Sequence, residues 1–414
     1  MANNQPLVGA AVIGQSGGPS AVINASAYGV IKTALESECI TAVYGAHHGI
    51  VGILNDRLLV MEKQDPKELE LMLQTPSSLL GSCRYKIADP EVDDTDYRRI
   101  LEIFKKYNIR YFFYNGGNDS MDTCNKVNRY MKQVGYECRV FGVPKTIDND
   151  LYGTDHCPGF SSAAKYIATS ILEVSRDSKV YDKGMITIVE CMGRHAGWLT
   201  AAAALAGEQG DGPDLIYLPE TAFDMDRFLA DVTRVYKEKG NCIVAVSEGV
   251  HYADGTFVSE AKTSGTDGFG HAQLGGLAAR LASIVKEATG AKVRGIELSL
   301  LQRCAAHCAS ARDVEESFNS GKVAVESAIA GESGKMVGFK CDRENGYVCH
   351  YELFDLEKVA NFEKKVPTEW ITPDGAYVTQ DFIDYCAPLI DGERELVYEG
   401  GLPRFAKLEM VFAE

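Results

Sequence analysis

The chain lacks long apolar runs and is poor in positive charge. No stretch of about 18 apolar residues occurs, so no membrane span is expected. The first residues, Met1 to Leu7, carry no basic segment ahead of an apolar one, so no secretory signal is expected. Lys and Arg total 42 against 58 Asp and Glu, a net charge of −16. Nucleic acid requires a basic face and is not expected as a partner. A small phosphorylated substrate is not excluded, because a few cations in a cleft reverse the sign locally. Neither nucleotide-binding fingerprint, GxxxxGK followed by Ser or Thr, or GxGxxG, is present. The 12 cysteines have no framework spacing. They read as reduced thiols of a cytoplasmic chain. Cys304, His307 and Cys308 have no second ligand cluster nearby and read as packing residues, as does the pair His47-His48.

At 414 residues the chain has core enough for two or three domains. Apolar strand-like runs are read at Gly9–Ile13, Thr41–Tyr44, Tyr111–Tyr114, Arg139–Val143, Met185–Glu190, Leu215–Leu218, Ile243–Ser247 and Gly295–Leu301. Helical patterns lie between most of them, among them Pro66–Leu73, Asp94–Lys106, Ser162–Ser175, Ala196–Ala206 and Met225–Lys239. This alternation predicts an α/β protein with parallel sheets covered by helices on both faces. The segment Thr263–Gly276, rich in glycine and polar residues, reads as a mobile loop.

In such sheets ligands bind beyond the carboxyl ends of the strands. Chemistry-bearing residues should therefore follow strands, and five groups do. Gly17 and Gly18 follow the first strand, and Gly116 to Ser120 the third. Pro144-Lys145-Thr146-Ile147-Asp148-Asn149-Asp150 follows the fourth, Met192-Gly193-Arg194 the fifth, and Glu248-Gly249 the seventh. Glycine pairs before a helix let backbone N–H groups approach a phosphate. Two carboxylates beside a lysine can take a proton from an alcohol, hold a divalent cation and meet an anion. Arg84, Lys86, Arg294 and Arg303 add cations suited to phosphate. Together these residues suit a phosphoryl-transfer cleft, where positioning and electrostatics carry the catalysis.

In this order and spacing the motifs resemble the phosphofructokinases, and within them the pyrophosphate-dependent branch. The resemblance covers roughly Val8 to Gly331 and includes Leu80-Gly81-Ser82-Cys83-Arg84 and Gln302-Arg303. Phe269 to Gly276 and Asp381-Phe382-Ile383-Asp384-Tyr385 are similar to the longer members of that branch. It implies two doubly wound, mainly parallel sheet lobes with the active site in the cleft between them. Residues 1–155, completed by part of 302–350, would form the phosphoryl-donor lobe. Residues 156–301 would form the fructose 6-phosphate lobe, and 351–414 a helical or irregular extension. The implied reaction is reversible transfer from pyrophosphate to the 1-hydroxyl of fructose 6-phosphate.

By the same resemblance Asp148 is the general base, supported by Asp150. Thr146 bonds the transferred phosphoryl group or the sugar, and Arg84 faces that phosphoryl group. Met192, Gly193, Arg194, Glu248, Arg294 and Arg303 bind fructose 6-phosphate. Gly17, Gly18, Gly117, Asp119 and Lys145 form the donor site, and Asn118 helps to hold Mg²⁺. A homodimer or homotetramer is implied.

The donor follows from one position. In ATP-using relatives the diphosphate loop reads Gly-Gly-Asp-Gly, and here Asp119 stands at the last glycine. A carboxylate there crowds and repels the α-phosphate of ATP. At about 4 Å and an effective dielectric near 20 that repulsion is about 4 kcal/mol, roughly a thousandfold in affinity. Lys145 stands where many ATP-using bacterial enzymes have glycine, and can neutralise pyrophosphate.

Other positions depart from the family pattern. Asn118 replaces an aspartate that helps to place Mg²⁺, and Leu300 replaces a histidine or tyrosine at the sugar phosphate. Met185 replaces an arginine that crosses the subunit interface, with Lys183 the nearest basic residue. Ala27 and Ile31 replace effector-site arginines, so weak or absent allosteric control is expected. An ATP-dependent phosphofructokinase and a non-catalytic sugar-phosphate-binding subunit are the alternatives. The retained Asp148 argues against the second.

Overall fold

The first strand, β1 (Gly9–Gln15), is buried along its whole length. Its alternate residues enter two different cores, Ala10 and Val12 one, Ala11 and Ile13 the other. A strand apolar on both faces belongs in the middle of a parallel sheet covered on both sides. That is its place in the computed structural model, which describes residues 6–259, 276–360 and 362–414. The strands that follow are β2 (Ile40–Ala46), β3 (Leu58–Val60), β4 (Ile109–Gly116), β5 (Arg139–Pro144), β6 (Ile186–Cys191), β7 (Leu215–Tyr217), β8 (Cys242–Ser247), β9 (Val293–Glu297), β10 (Lys335–Asp342) and β11 (Val348–Asp355).

The larger sheet has the order β11-β10-β5-β4-β1-β2-β3. Its interior pairs are parallel, and the two edge strands, β3 and β11, are antiparallel. Helices Thr95–Lys106 and Asn118–Gln133 cover one face, and Ile23–Leu35 and Ala311–Ile329 the other. The smaller sheet, β7-β8-β6-β9, is wholly parallel. Helix Phe160–Ser178 lies in the core on one side of it, and helices Met225–Lys239 and Leu277–Thr289 in the core on the other.

Register brings the loops to common levels. Gln15 pairs with Asn115, and Gly116 with Pro144, so β1, β4 and β5 end together. Strand order reverses between β1 and β4, the switch point where such sheets open a crevice. In the smaller sheet Cys191 pairs with Ser247, so β6 and β8 also end together.

Several boundaries differ from the sequence reading. The strand expected at Gly295–Leu301 runs from Val293 to Glu297 and stops before the left-handed turn at Ser299 (φ 43°), after which Leu301–Cys304 is helical. The helix expected at Ala196–Ala206 begins at Trp198 and tightens into a 3₁₀ turn from Ala202. The extension beginning at residue 351 opens inside strand β11, which pairs along its length with β10. The reading missed it because β11 is half exposed and alternates polar with apolar residues. The Thr263–Gly276 loop and the Phe269–Gly276 motif lie, except for Gly276, outside the described residues.

Helices Ile23–Leu35 and Ala311–Ile329 cross with backbones in near contact: a Cβ on Gly29 would lie 2.0 Å from the Phe318 carbonyl oxygen, and one on Gly321 2.1 Å from that of Ser26. The carboxyl-terminal residues lie along β3, with Val60 N–H donating to the Val411 carbonyl and Ala413 N–H to that of Leu58. No helix among the described residues is long and apolar enough to cross a membrane.

Candidate active site

The loops after β1, β4, β5, β6 and β8 close around a cavity of about 620 Å³. Of the residues given a role in the reaction by the resemblance, all but Gly193 and Arg294 line it; Lys86, also read as a phosphate-suited cation, does not. Gly193 stands just behind, its N–H 3.3 Å from Glu248 Oε1. Arg294 is placed elsewhere. It is exposed on edge strand β9, paired with Thr187 near the start of β6. That is four residues short of the strand end, roughly 13 Å at the rise of an extended chain.

The loop after β5 is held by its own backbone. Lys145 N–H donates to the Gly116 carbonyl at 2.9 Å and Thr146 N–H to that of Pro158 at 3.2 Å. Asp148 N–H donates to Thr146 Oγ1 at 3.1 Å. Thr146 also opposes the burial that pushes the Asp150 carboxyl up, so its side chain acts on the Asp148 backbone and on the Asp150 carboxyl. Asn149 between them adopts a left-handed backbone (φ 55°). That turn directs Asp148 and Asp150 into the cavity and its own side chain into the protein.

Opposed forces bring two groups close to neutrality. Burial, then Asp150 and Glu248, push the Asp148 carboxyl up to about 7 against the pull of Lys145 and Arg194. Burial pushes the Lys145 ammonium down to about 8, with Arg84 and Arg303 adding to it and Asp148 and Asp150 opposing. A base titrating near working pH suits proton abstraction from an alcohol. Lys145 Nζ donates to the Gly18 carbonyl. A Cβ at Gly17 would lie 3.7 Å from that ammonium, and one at Gly18 3.4 Å from Arg303 Nη1 and 3.8 Å from Arg84 Nη2. Three cations thus converge on the glycine pair, which leaves an anion room to reach them. Burial, then Arg84, lower the Arg303 guanidinium, the mark of positive groups packed before a counter-ion arrives.

Asn118 opens the helix after β4, and its Nδ2 donates to Asp150 Oδ2 at 3.0 Å. The remaining oxygens of this pair, Asn118 Oδ1 and Asp150 Oδ1, are buried with no protein partner. Buried orphan oxygens are costly, and oxygen ligands of this kind suit a hard divalent cation. Asp119 follows on the first helical turn, 3.6 Å from Lys86 Nζ. On the opposite wall, Gly193 has φ 135°, and a Cβ there would meet the Ala196 carbonyl oxygen at 2.6 Å. Gln302 Oε1 accepts from Met192 N–H at 3.1 Å, tying this loop to Arg303.

Comparison with known proteins agrees with this geometry. The family described as Phosphofructokinase matches residues 10–331. The chain belongs to the phosphofructokinase family. It is 45% identical over 398 residues, 95% of this chain and 94% of the relative, to the pyrophosphate–fructose 6-phosphate 1-phosphotransferase of Halomonas elongata. The enzyme of the same name from Methylococcus capsulatus is 44% identical over 398 residues, again 95% of this chain and 94% of the relative. The crystal structure of a pyrophosphate-dependent phosphofructokinase from Marinobacter aquaeolei superposes with a TM-score of 0.89 at 42% identity, covering 98% of each chain.

The phosphofructokinase cavity is also lined by Pro19 and His195, which follow the first and fifth strands read in the sequence but were given no role, and by Glu363, which the sequence did not single out. Glu363 comes from the carboxyl-terminal extension, where no local pattern marks it. The structure also groups Asp155, His156 and Cys341. Arg343 takes both oxygens of Asp155 at 2.8 Å, and His156 lies 2.8 Å from Glu316. The group is therefore a closed ion-pair network. Cys308, read as packing, lies 3.7 Å from Thr169 Oγ1, and the His307 ring packs edge-on against Tyr166.

Proposed function

We propose that the chain transfers a phosphoryl group reversibly from pyrophosphate to the 1-hydroxyl of fructose 6-phosphate. The observation that carries this reading is Asp148, titrating near neutral pH and facing a cavity that Lys145, Arg84 and Arg303 also line. The Asp148 carboxylate takes the hydroxyl proton as the sugar oxygen bonds to phosphorus. The bridging P–O bond of pyrophosphate breaks, and phosphate leaves against Lys145 and Arg84 beside Gly17 and Gly18. Met192, Gly193, Arg194 and Glu248 hold the sugar. Arg303 meets its phosphate.

A divalent cation, which we assign as Mg²⁺, would be held by Asn118 and Asp150 through their free oxygens, and when bound it neutralises diphosphate charge. Asp119 marks the end of the donor site and leaves pyrophosphate as the donor that fits. Donor handling falls to residues 1–155 with part of 302–350, sugar binding to 156–301, and 351–414 is an extension that braces the site. Ala27 and Ile31 are fully buried in the helix crossing, which supports an enzyme without the bacterial effector site. We further assign it to the cytoplasm as a homodimer or homotetramer.

The test measures fructose 1,6-bisphosphate formed with each donor, in the parent and in Asp148→Asn. Pyrophosphate should support turnover and ATP little, and loss of the base should cost on the order of 10²–10⁴ in kcat. ATP turnover equal to that with pyrophosphate, or a fully active Asp148→Asn, would refute the reading.

A further inference from the structure

The Asp381 to Tyr385 motif and the segment around Lys364 take no part in the phosphoryl transfer itself, yet both reach the loop that carries Asp148 and Asp150. Lys364 N–H donates to the Asp150 carbonyl at 2.8 Å, and Glu363 forms a bridge with Leu151. The Lys364 ammonium donates to the Asp155 carbonyl at 2.6 Å, to that of Thr154 at 3.1 Å and to Asn149 Oδ1 at 3.5 Å. Tyr385 meets the same residue from the other side. Asn149 Nδ2 donates to the Tyr385 hydroxyl at 2.9 Å, and that hydroxyl donates to the Asp155 carbonyl at 2.8 Å. Cys157 N–H supplies Asn149 Oδ1 with its remaining bond at 2.9 Å.

Asn149 is fully buried and left-handed, and it is the one residue between the two cavity carboxylates. Fixing its side chain fixes the direction of both neighbours, since a turn of this kind has few other conformations to adopt. The anchors are themselves held by Trp198 of the sugar-side lobe. Trp198 Nε1 donates to the Lys364 carbonyl at 3.0 Å, and the Lys364 ammonium lies 5.0 Å from the centre of the Trp198 ring. The Tyr385 ring packs 5.4 Å from Trp198 and 5.2 Å from Trp370.

We infer that Lys364 and Tyr385 are positioning residues: acting through Asn149, they hold Asp148 in line with the sugar hydroxyl and link that alignment to the sugar-binding lobe. The inference rests on the assignment of Asp148 as the base. Neither residue lines the cavity, so neither needs to touch substrate.

Tyr385→Phe keeps the aromatic packing and removes only the hydroxyl. A sub-ångström to 1 Å misplacement at a reacting centre costs up to about 10²-fold, so kcat should fall on the order of tenfold with both KM values within about twofold. The melting temperature should stay close to that of the parent. Asn149→Gly, which keeps the left-handed backbone accessible, should lose at least as much. The double variant should be no slower than Asn149→Gly alone, because the two changes break one path.

An unchanged kcat in Tyr385→Phe, or losses that multiply in the double variant, would overturn the inference. So would a loss of kcat matched by a fall in melting temperature and a rise in KM, the pattern of a merely structural residue. Asp148→Asn separates the two levels. If it stays active, the base assignment fails. If it is inactive while Tyr385→Phe matches the parent, only the positioning role fails.

Discussion

Replacing Asp119 with glycine tests the origin of donor choice. The carboxylate sits on the first turn of the helix Asn118–Gln133, its side chain 32% exposed and 3.6 Å from the Lys86 ammonium. Two unit charges about 4 Å apart repel by about 4 kcal/mol at an effective dielectric near 20, and by about 1 kcal/mol in water. Partial exposure and the lysine place Asp119 between these limits, below the full value read from the sequence alone. A repulsion of about 1.5–3 kcal/mol corresponds to roughly 10- to 100-fold. In Asp119→Gly, kcat/KM for ATP should rise by that factor, while the value for pyrophosphate changes by less than about threefold.

Glycine also weakens the helix start by about 1 kcal/mol, so a thermal melt accompanies the assay to show that the variant is folded. Lys86→Met, which removes the partial neutralisation, should move ATP use the other way. A folded Asp119→Gly enzyme whose kcat/KM for ATP stays within about twofold of the parent would show that this carboxylate does not exclude the nucleotide.

Two further predictions follow from the same residues and from the helix crossing. In the free enzyme Asp148 must be ionised, so kcat/KM is lost as pH falls through about 7; Lys145 must be charged, so it is lost again as pH rises through about 8. The profile should be a narrow bell, and Lys145→Arg should carry its alkaline limb upward; a flat neutral range would refute both assignments. Gly29→Val forces a side chain against the Phe318 carbonyl and should cost at least about 1–3 kcal/mol, read as a lowered melting temperature with the folded fraction still active. An unchanged melt would mean that the two helices do not meet as described.

The sequence was most informative where burial is two-sided. Strands such as β1, β5 and β6 are apolar on both faces, and their runs are continuous enough to be recognised alone. The residues after them were legible for the same reason, because chemistry in parallel sheets collects at strand ends. The hairpin β10–β11 was not, since β11 alternates and lies half exposed at the sheet edge. Where Arg294 falls was not legible either, because its number sets it on a strand but does not say at which end, and only pairing with Thr187 places it near the start of β6. Lys364 and Tyr385 touch Asn149 across separations of 215 and 236 residues. No local pattern reports contacts of that range. The nearest clue was Asn149 itself, an uncharged residue between two acids, whose side chain needed partners from elsewhere.

The carboxyl-terminal tail laid along β3 has a practical corollary. A bare edge strand exposes a row of unpaired amides and invites a second molecule to add to the sheet. Leu58, Leu59 and Val60 form such a row, and residues 411–413 cover it. Clipping these few residues, or pulling them away with a bulky fusion, would turn a sealed rim into an adhesive one. The damage would show first as concentration-dependent aggregation, with catalysis in the surviving monodisperse protein intact.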